Sequence, residues 1–198
     1  RCILVREDSG IKSFEDLANI TLQIDPARPY IAFMKDLGLL SNNVKTVPYF
    51  GTVTQLVSDV RTAQQAYSFS EPHLAEEQGV QVRKLMMSEI GYNPYASVLI
   101  STEKYLQDQP EIAKKMVAAS IEGWKRYLDS PAKTNAYILQ QNRQGMTEKA
   151  LDYGAKNLIE LCYPQDFDRA QLGLMDGKRW QTLTEQLLKL KLISDKVK

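Results

Sequence analysis

Histidine occurs once in these 198 residues and cysteine twice. A lone histidine, His73, excludes a multi-histidine metal site and is the one histidine that could serve as base to a serine or cysteine nucleophile. It follows Glu71-Pro72 at an expected helix start, where it reads as a surface or capping residue. Cys2 and Cys162 are far apart and lie in no C-x-x-C spacing, so they read as two isolated buried thiols without a metal site or disulfide framework. No apolar run approaches the ~20 residues that a bilayer-spanning helix needs. A surplus of charge is lacking too: 25 Lys plus Arg stand against 24 Asp plus Glu, a net charge of +1. No basic field is present to hold nucleic-acid phosphates, and no nucleic-acid partner is expected. The phosphate-binding and nucleophile motifs G-x-x-x-x-G-K-[ST], G-x-G-x-x-G, G-x-S-x-G and H-E-x-x-H are missing. Neither a catalytic residue nor a cofactor nor a metal is expected.

What is present is a chain long enough for one or two compact units, with a hydrophobic fraction of 43% to build their cores. Its first half alternates strand-like and helix-like runs. Cys2 to Val5, Thr21 to Ile24, Lys45 to Tyr49, Ala66 to Phe69 and Gln81 to Met86 read as strands; Pro29 to Leu40, Thr52 to Thr62 and Pro72 to Gln78 read as helices. Such a βαβ rhythm implies a mixed, mostly parallel sheet, which presents ligand-binding groups at the carboxyl ends of its strands. From Thr102 onward the pattern is helical, with starts at Thr102, Pro110, Pro131, Thr147, Asp166 and Lys178. Ile112, Met116, Val117 and Trp124 form a stripe on the Pro110 helix that reads as a core face. Leu183, Leu187, Leu188, Leu190 and Leu192 form another, with Lys189, Lys191, Lys196 and Lys198 placed to favour the C-terminal end of that helix. The sequence opens on Arg1 directly before a strand, so the reading expects that an upstream segment has been removed.

Three clusters at strand-to-helix junctions carry candidate ligand-binding residues. In Asp25-Pro26-Ala27-Arg28-Pro29-Tyr30, Pro29 suits a first helical turn, and Arg28 and Tyr30 stand at the strand end. In Tyr49-Phe50-Gly51-Thr52, Gly51 permits close backbone approach and Thr52 can cap the next helix. The third pairs Tyr67-Ser68-Phe69-Ser70-Glu71-Pro72 with Gly91-Tyr92-Asn93-Pro94-Tyr95. Here Tyr67, Tyr92 and Tyr95 offer stacking surfaces, Asn93 offers a donor and an acceptor, and Ser70 and Glu71 border the pocket.

The opening Asp8-Ser9-Gly10-Ile11-Lys12-Ser13-Phe14-Glu15-Asp16-Leu17 resembles the start of the second lobe in solute-binding proteins for nitrate, sulfonates, taurine and thiamine-pyrimidine precursors. Pro29 to Phe33, Ser70-Glu71-Pro72, Gly91 to Tyr95 and Thr102 to Tyr105 extend the resemblance, and point to the branch that includes the pyrimidine-precursor binders. The resemblance implies a type II periplasmic binding-protein fold and a non-enzymatic receptor that delivers a small metabolite to the membrane permease of an ABC-type importer. It further implies a periplasmic or extracytoplasmic location, with a lipid anchor as one form. Residues 1–17 would then be the end of a first-lobe segment with its crossover, 18–92 a second α/β lobe, and 93–198 the return crossover with the helical part of the first lobe. The chain would be partial relative to the two-lobed fold, and association is expected through the surface that the absent lobe leaves. The resemblance also departs from its pattern: Asn19 stands where glycine is usual, and Asp25-Pro26-Ala27-Arg28 replaces a glycine-containing loop. Two alternatives share the architecture, a pyrimidine-precursor synthesis enzyme and a ligand-sensing module. The yeast-type enzymes need a histidine and iron, and with His73 alone that chemistry lacks its parts.

Overall fold

A computed structural model describes residues 1–40, 43–141 and 145–194. Lys196 and Lys198, expected to favour the end of the last helix, lie outside the described residues. The chain forms two units: Arg1–Pro94 with Asp176–Lys198, and Tyr95–Met175. Residues 1–17 and the last helix therefore sit with the α/β unit, and Tyr95 sits with the helical one.

The first unit is built on five strands: β1 (Cys2–Arg6), β2 (Thr21–Gln23), β3 (Lys45–Val47), β4 (Thr62–Ala66) and β5 (Val82–Met86), in the order β3-β2-β4-β1-β5. β2 pairs in parallel with both β3 and β4, whereas β1 pairs antiparallel with both β4 and β5. Four strands thus share one direction and β1 alone opposes them, which is the mixed, mostly parallel sheet that the alternation implies. Its helices are α1 (Pro29–Asp36), α2 (Thr54–Ser58), α3 (Glu71–Glu77) and α8 (Gly177–Lys189).

Both faces of the sheet are covered, and the sequence of β1 shows why. Ile3, Leu4 and Val5 are fully buried. Ile3 and Val5 join Leu22, Ala63 and Leu85 on one face, against Tyr30, Ile31, Phe33 and Met34 of α1, with Leu183 and Leu190 at its margin. Cys2 and Leu4 join Ala66 on the other, against Val53, Leu56 and Ala75. A strand buried on two sides needs a continuous apolar run, and residues 2–5 supply it. Burial pushes the Cys2 thiol up to about 12, as expected of an inert core cysteine.

β4 departs from the expectation. The sequence places a helix up to Thr62 and a strand from Ala66 to Phe69, but the strand is Thr62–Ala66, four residues earlier. Its core is Ala63-Gln64-Gln65, and small or amide side chains carry neither alternation nor β-branching. Thr21 to Gln23 and Lys45 to Val47 match their expected strands but end sooner. Asn19 has φ 53, a left-handed conformation that asparagine tolerates better than most residues, which accounts for its standing in for glycine.

The second unit is helical: α4 (Glu103–Asp108), α5 (Pro110–Asp129), α6 (Ala132–Gln141) and α7 (Glu148–Cys162). The Thr102 and Thr147 hydroxyls cap α4 and α7 by accepting from Tyr105 N and Ala150 N, each at 3.1 Å. Asp166 starts no α-helix; it has φ 64 and precedes a single 3-10 turn, Arg169–Gln171. Leu128, Leu151 and Ala155 are buried, and Asn135 links Tyr127 Oη to Asp152. The α5 stripe is a correction: Ile112, Met116, Val117 and Trp124 are 46–57% exposed rather than core. Periodicity registers an apolar face, not what covers it. Among the described residues no helix is long and apolar enough to cross a membrane.

Two substitutions test this packing by denaturant titration. Leu22→Ala, opening a cavity under α1, is expected to cost about 2–5 kcal/mol. Gln64 is fully buried with neither amide atom hydrogen-bonded to protein. Gln64→Met keeps the volume and removes both polar atoms, and is expected to raise stability by about 1 kcal/mol; a loss of that size would show that the amide stabilises the strand.

Candidate ligand-binding site

Parallel pairing brings the carboxyl ends of β3, β2 and β4 side by side, and the loops that leave them carry the first two candidate clusters and the Tyr67 to Pro72 half of the third. Two buried acceptors lace these loops together. Gln65 Oε1 on β4 accepts from Asp25 N at 2.8 Å and from Tyr30 Oη at 3.0 Å, fixing the loop after β2. Glu71 Oε1 accepts from Tyr49 Oη at 3.0 Å and Glu71 Oε2 from Tyr67 N at 2.9 Å, joining the loops after β3 and β4. A carboxylate buried to this degree needs such donors, because unpaired it would lose far more in hydration than it gains in contact.

Each candidate residue has a definite place. Arg28 is exposed and pairs with Asp25 at 3.0 Å across the turn, with Pro29 at the first position of α1. Tyr30 is 4% exposed, so its ring belongs to the core and only its hydroxyl reaches the loop edge. Gly51 adopts φ 76 in an exposed turn, where its lack of a side chain is needed. Thr52 is exposed but caps nothing, since α2 starts at Thr54 after Val53 and has no side-chain cap. Tyr67 is half-buried; its ring lies 5.1 Å from that of Phe69, and the Arg1 guanidinium stands 3.6 Å over its face. Ser70 precedes α3 without a capping bond, and Glu71 is the buried tie already described. Phe50 stands 63% exposed beside Gly51.

Asn93 is held differently. Its side-chain oxygen accepts from Arg179 Nη2 of α8 at 2.9 Å, and its backbone oxygen accepts from Arg179 Nε at 2.6 Å. Tyr92, read from sequence as a stacking surface, is a core residue packed between Tyr30 and Phe33, with ring centroids 6.1 and 5.4 Å away. Tyr95 is half-buried in the helical unit. The structure therefore gathers Arg28, Tyr30, Tyr67 and Glu71, adjacent to Gly51, Thr52 and Ser70, around three loops of the α/β unit. Sequence reasoning missed Gln65 and left Tyr49 without a role; the one signal was a pair of amides, Gln64-Gln65, inside a strand.

His73, in α3, pairs with Glu77 at 3.3 Å. Among the described residues no three His, Cys, Asp or Glu side chains are grouped so as to hold a metal ion. Burial and the neighbouring Glu71 carboxylate push the Tyr49 phenol above its ordinary range, and burial raises Tyr30 from 10.0 to about 12. A phenol held neutral in the folded protein stabilises it fully below pH 10 and ceases to do so as pH climbs towards 12. Tyr30→Phe is therefore expected to flatten the fall in stability between pH 10 and 12, read as the thermal midpoint along an alkaline series; an unchanged slope would show that Tyr30 is not held neutral by the fold.

Comparison with known proteins bears on the fold. Three solved structures share the fold: SsuA of Escherichia coli, a periplasmic aliphatic sulphonate binding protein, at TM-score 0.67 and 14% identity; the periplasmic sulfonate-binding protein SsuA of Methylobacillus flagellatus KT, at 0.59 and 16%; and the alkanesulfonate-binding protein SsuA of Xanthomonas axonopodis pv. citri, bound to MOPS, at 0.61 and 12%. They cover 97%, 96% and 98% of this chain, which spans 61%, 58% and 65% of theirs, about three-fifths of each. A comparison with curated protein sequences gives no match. The profile of one family, described as NMT1/THI5 like, matches residues 1–134, two-thirds of the sequence and all three loops of the candidate site, and the chain belongs to that family.

Proposed function

We propose that this protein is a substrate-binding component of an ABC-type importer, acting outside the cytoplasm, which holds a small metabolite and hands it to a membrane permease without transforming it. The observation that carries this reading is the pair of buried ties, Gln65 and Glu71, which fix three loops at the carboxyl ends of β2, β3 and β4. Open α/β sheets bind ligands at that edge, and a rigid edge lowers the ordering cost of binding.

The ligand class follows from what the loops present. Tyr67 and Phe69 offer aromatic surface, Phe50 adds an exposed ring, the Arg1 guanidinium supplies positive charge over the Tyr67 face, and Arg28 stands exposed in its pair with Asp25. This set suits a compact polar metabolite with a flat or anionic part. A thiamine-pyrimidine precursor and a sulfonate are the two chemistries to try, the first from the family likeness and the second from what the three SsuA proteins bind. Titration calorimetry with an aminopyrimidine and with an aliphatic sulfonate tests both. One of the two is expected to bind, and Tyr67→Ala to weaken it about tenfold, equivalent to about 1.4 kcal/mol. An aminopyrimidine response that survives Tyr67→Ala unchanged would remove this edge as the site; silence from both ligands would remove the receptor reading.

A further inference from the structure

The helical unit builds its core on Leu128, Leu151 and Ala155 and leaves one face of α5 outside it. At about 100° per residue, Ile112, Met116, Ala119 and Gly123 fall within about 60° of one another and form a strip about three turns long. All four are exposed, Ile112 by 51% and Met116 by 57%. Val117 and Trp124 lie about 100° farther round the helix and are not part of the strip. Lys115 and Glu122, also exposed, flank it along one side. A methyl group built at Gly123 would meet nothing within 4 Å, so among the described residues no close contact calls for glycine there. Glycine is the poorest helix former after proline, yet it stands inside a 20-residue helix.

We propose that this strip pairs with the same strip of a second copy of the chain, the two α5 helices running antiparallel about a twofold axis near Val117 and Ala118. In that register Ile112 of each copy packs over Gly123 of the other, Met116 meets Ala119, and Lys115 faces Glu122 on both sides of the axis. A parallel pairing would set Lys115 against Lys115 and Glu122 against Glu122, so the charges select the antiparallel sense. Glu122 already pairs with Arg126 of its own helix at 2.7 Å, but both side chains are exposed, and a pair so well solvated leaves the carboxylate open to a second cation. Gly123 gains a reason in this arrangement, because a side chain there would hold the helices apart. The four basic and three acidic residues of α5 nearly balance, which suits a second copy better than an anionic lipid surface. Two apolar side chains and one cross-helix ion pair from each copy make a small contact, of the weak and reversible class, with a Kd of about 10–100 µM.

Sedimentation of the whole chain in low salt, from about 2 to about 500 µM, reads the pairing directly, and the mean mass is expected to climb towards that of a dimer. Lys115→Glu and Glu122→Lys each set like charges together on both sides of the axis and are each expected to weaken the dimer tenfold or more. An equimolar mixture of the two variants is expected to recover the wild-type affinity to within about threefold, because every cross-helix pair in the mixed dimer again joins opposite charges. Gly123→Gln separates the contact from the fold: it is expected to raise the thermal midpoint of the dilute chain by about 2–4 °C while weakening the dimer tenfold or more. A wild-type chain that stays monomeric at about 500 µM overturns the pairing, whether or not it binds lipid vesicles or another protein. So does a mixture of the two charge variants that associates no better than either alone, or a dimer that Gly123→Gln leaves intact.

Discussion

The α/β unit depends on β4, a strand buried on both faces though two of its five residues are glutamine. It is the one strand that pairs in parallel on one side, with β2, and antiparallel on the other, with β1. Backbone hydrogen bonds to both neighbours meet the first requirement of a buried strand. The side chains then divide the work: Gln65 turns its amide oxygen towards the loop after β2, whereas Gln64 lies under the helices on the opposite face. The fold and the loop edge therefore share a strand, and the edge is only as firm as the centre of the sheet.

That double duty explains what could be read from sequence. β1 announced itself, because burial on both faces demands an unbroken apolar run and Ile3-Leu4-Val5 is one. The helices of the second unit were legible from their caps, Thr102 and Thr147, and from Pro110. β4 was not, because Ala63-Gln64-Gln65 owes its strand conformation to its neighbours and not to its own residues, and the displaced strand drew the adjoining helix boundary with it.

The loops of the candidate site were legible to a similar depth. Loops at strand ends can be found without coordinates, and Arg28, Tyr67 and Glu71 lie where such loops should place them. Whether a side chain faces a ligand or a structural partner depends on what arrives from elsewhere in the chain. Asn93 has every property of a binding residue in isolation, yet its oxygen is taken by Arg179, 86 positions away. Tyr92 and Tyr95 stand three residues apart, and the boundary between the units falls between them. No local pattern carries that information.

The direction of β1 has a consequence for charge. Its register sets Cys2 opposite Ala66, so the head of β1 meets the tail of β4. Were β1 aligned with its neighbours, its first residue would lie at the far rim of the sheet, about 13 Å away across four rises of about 3.3 Å. Reversal instead delivers the guanidinium of Arg1 to the face of Tyr67. One inverted strand thus transfers a cation from the opposite rim of the sheet to the edge where β4 ends, and the charge at that edge is decided by strand polarity as much as by the loops themselves.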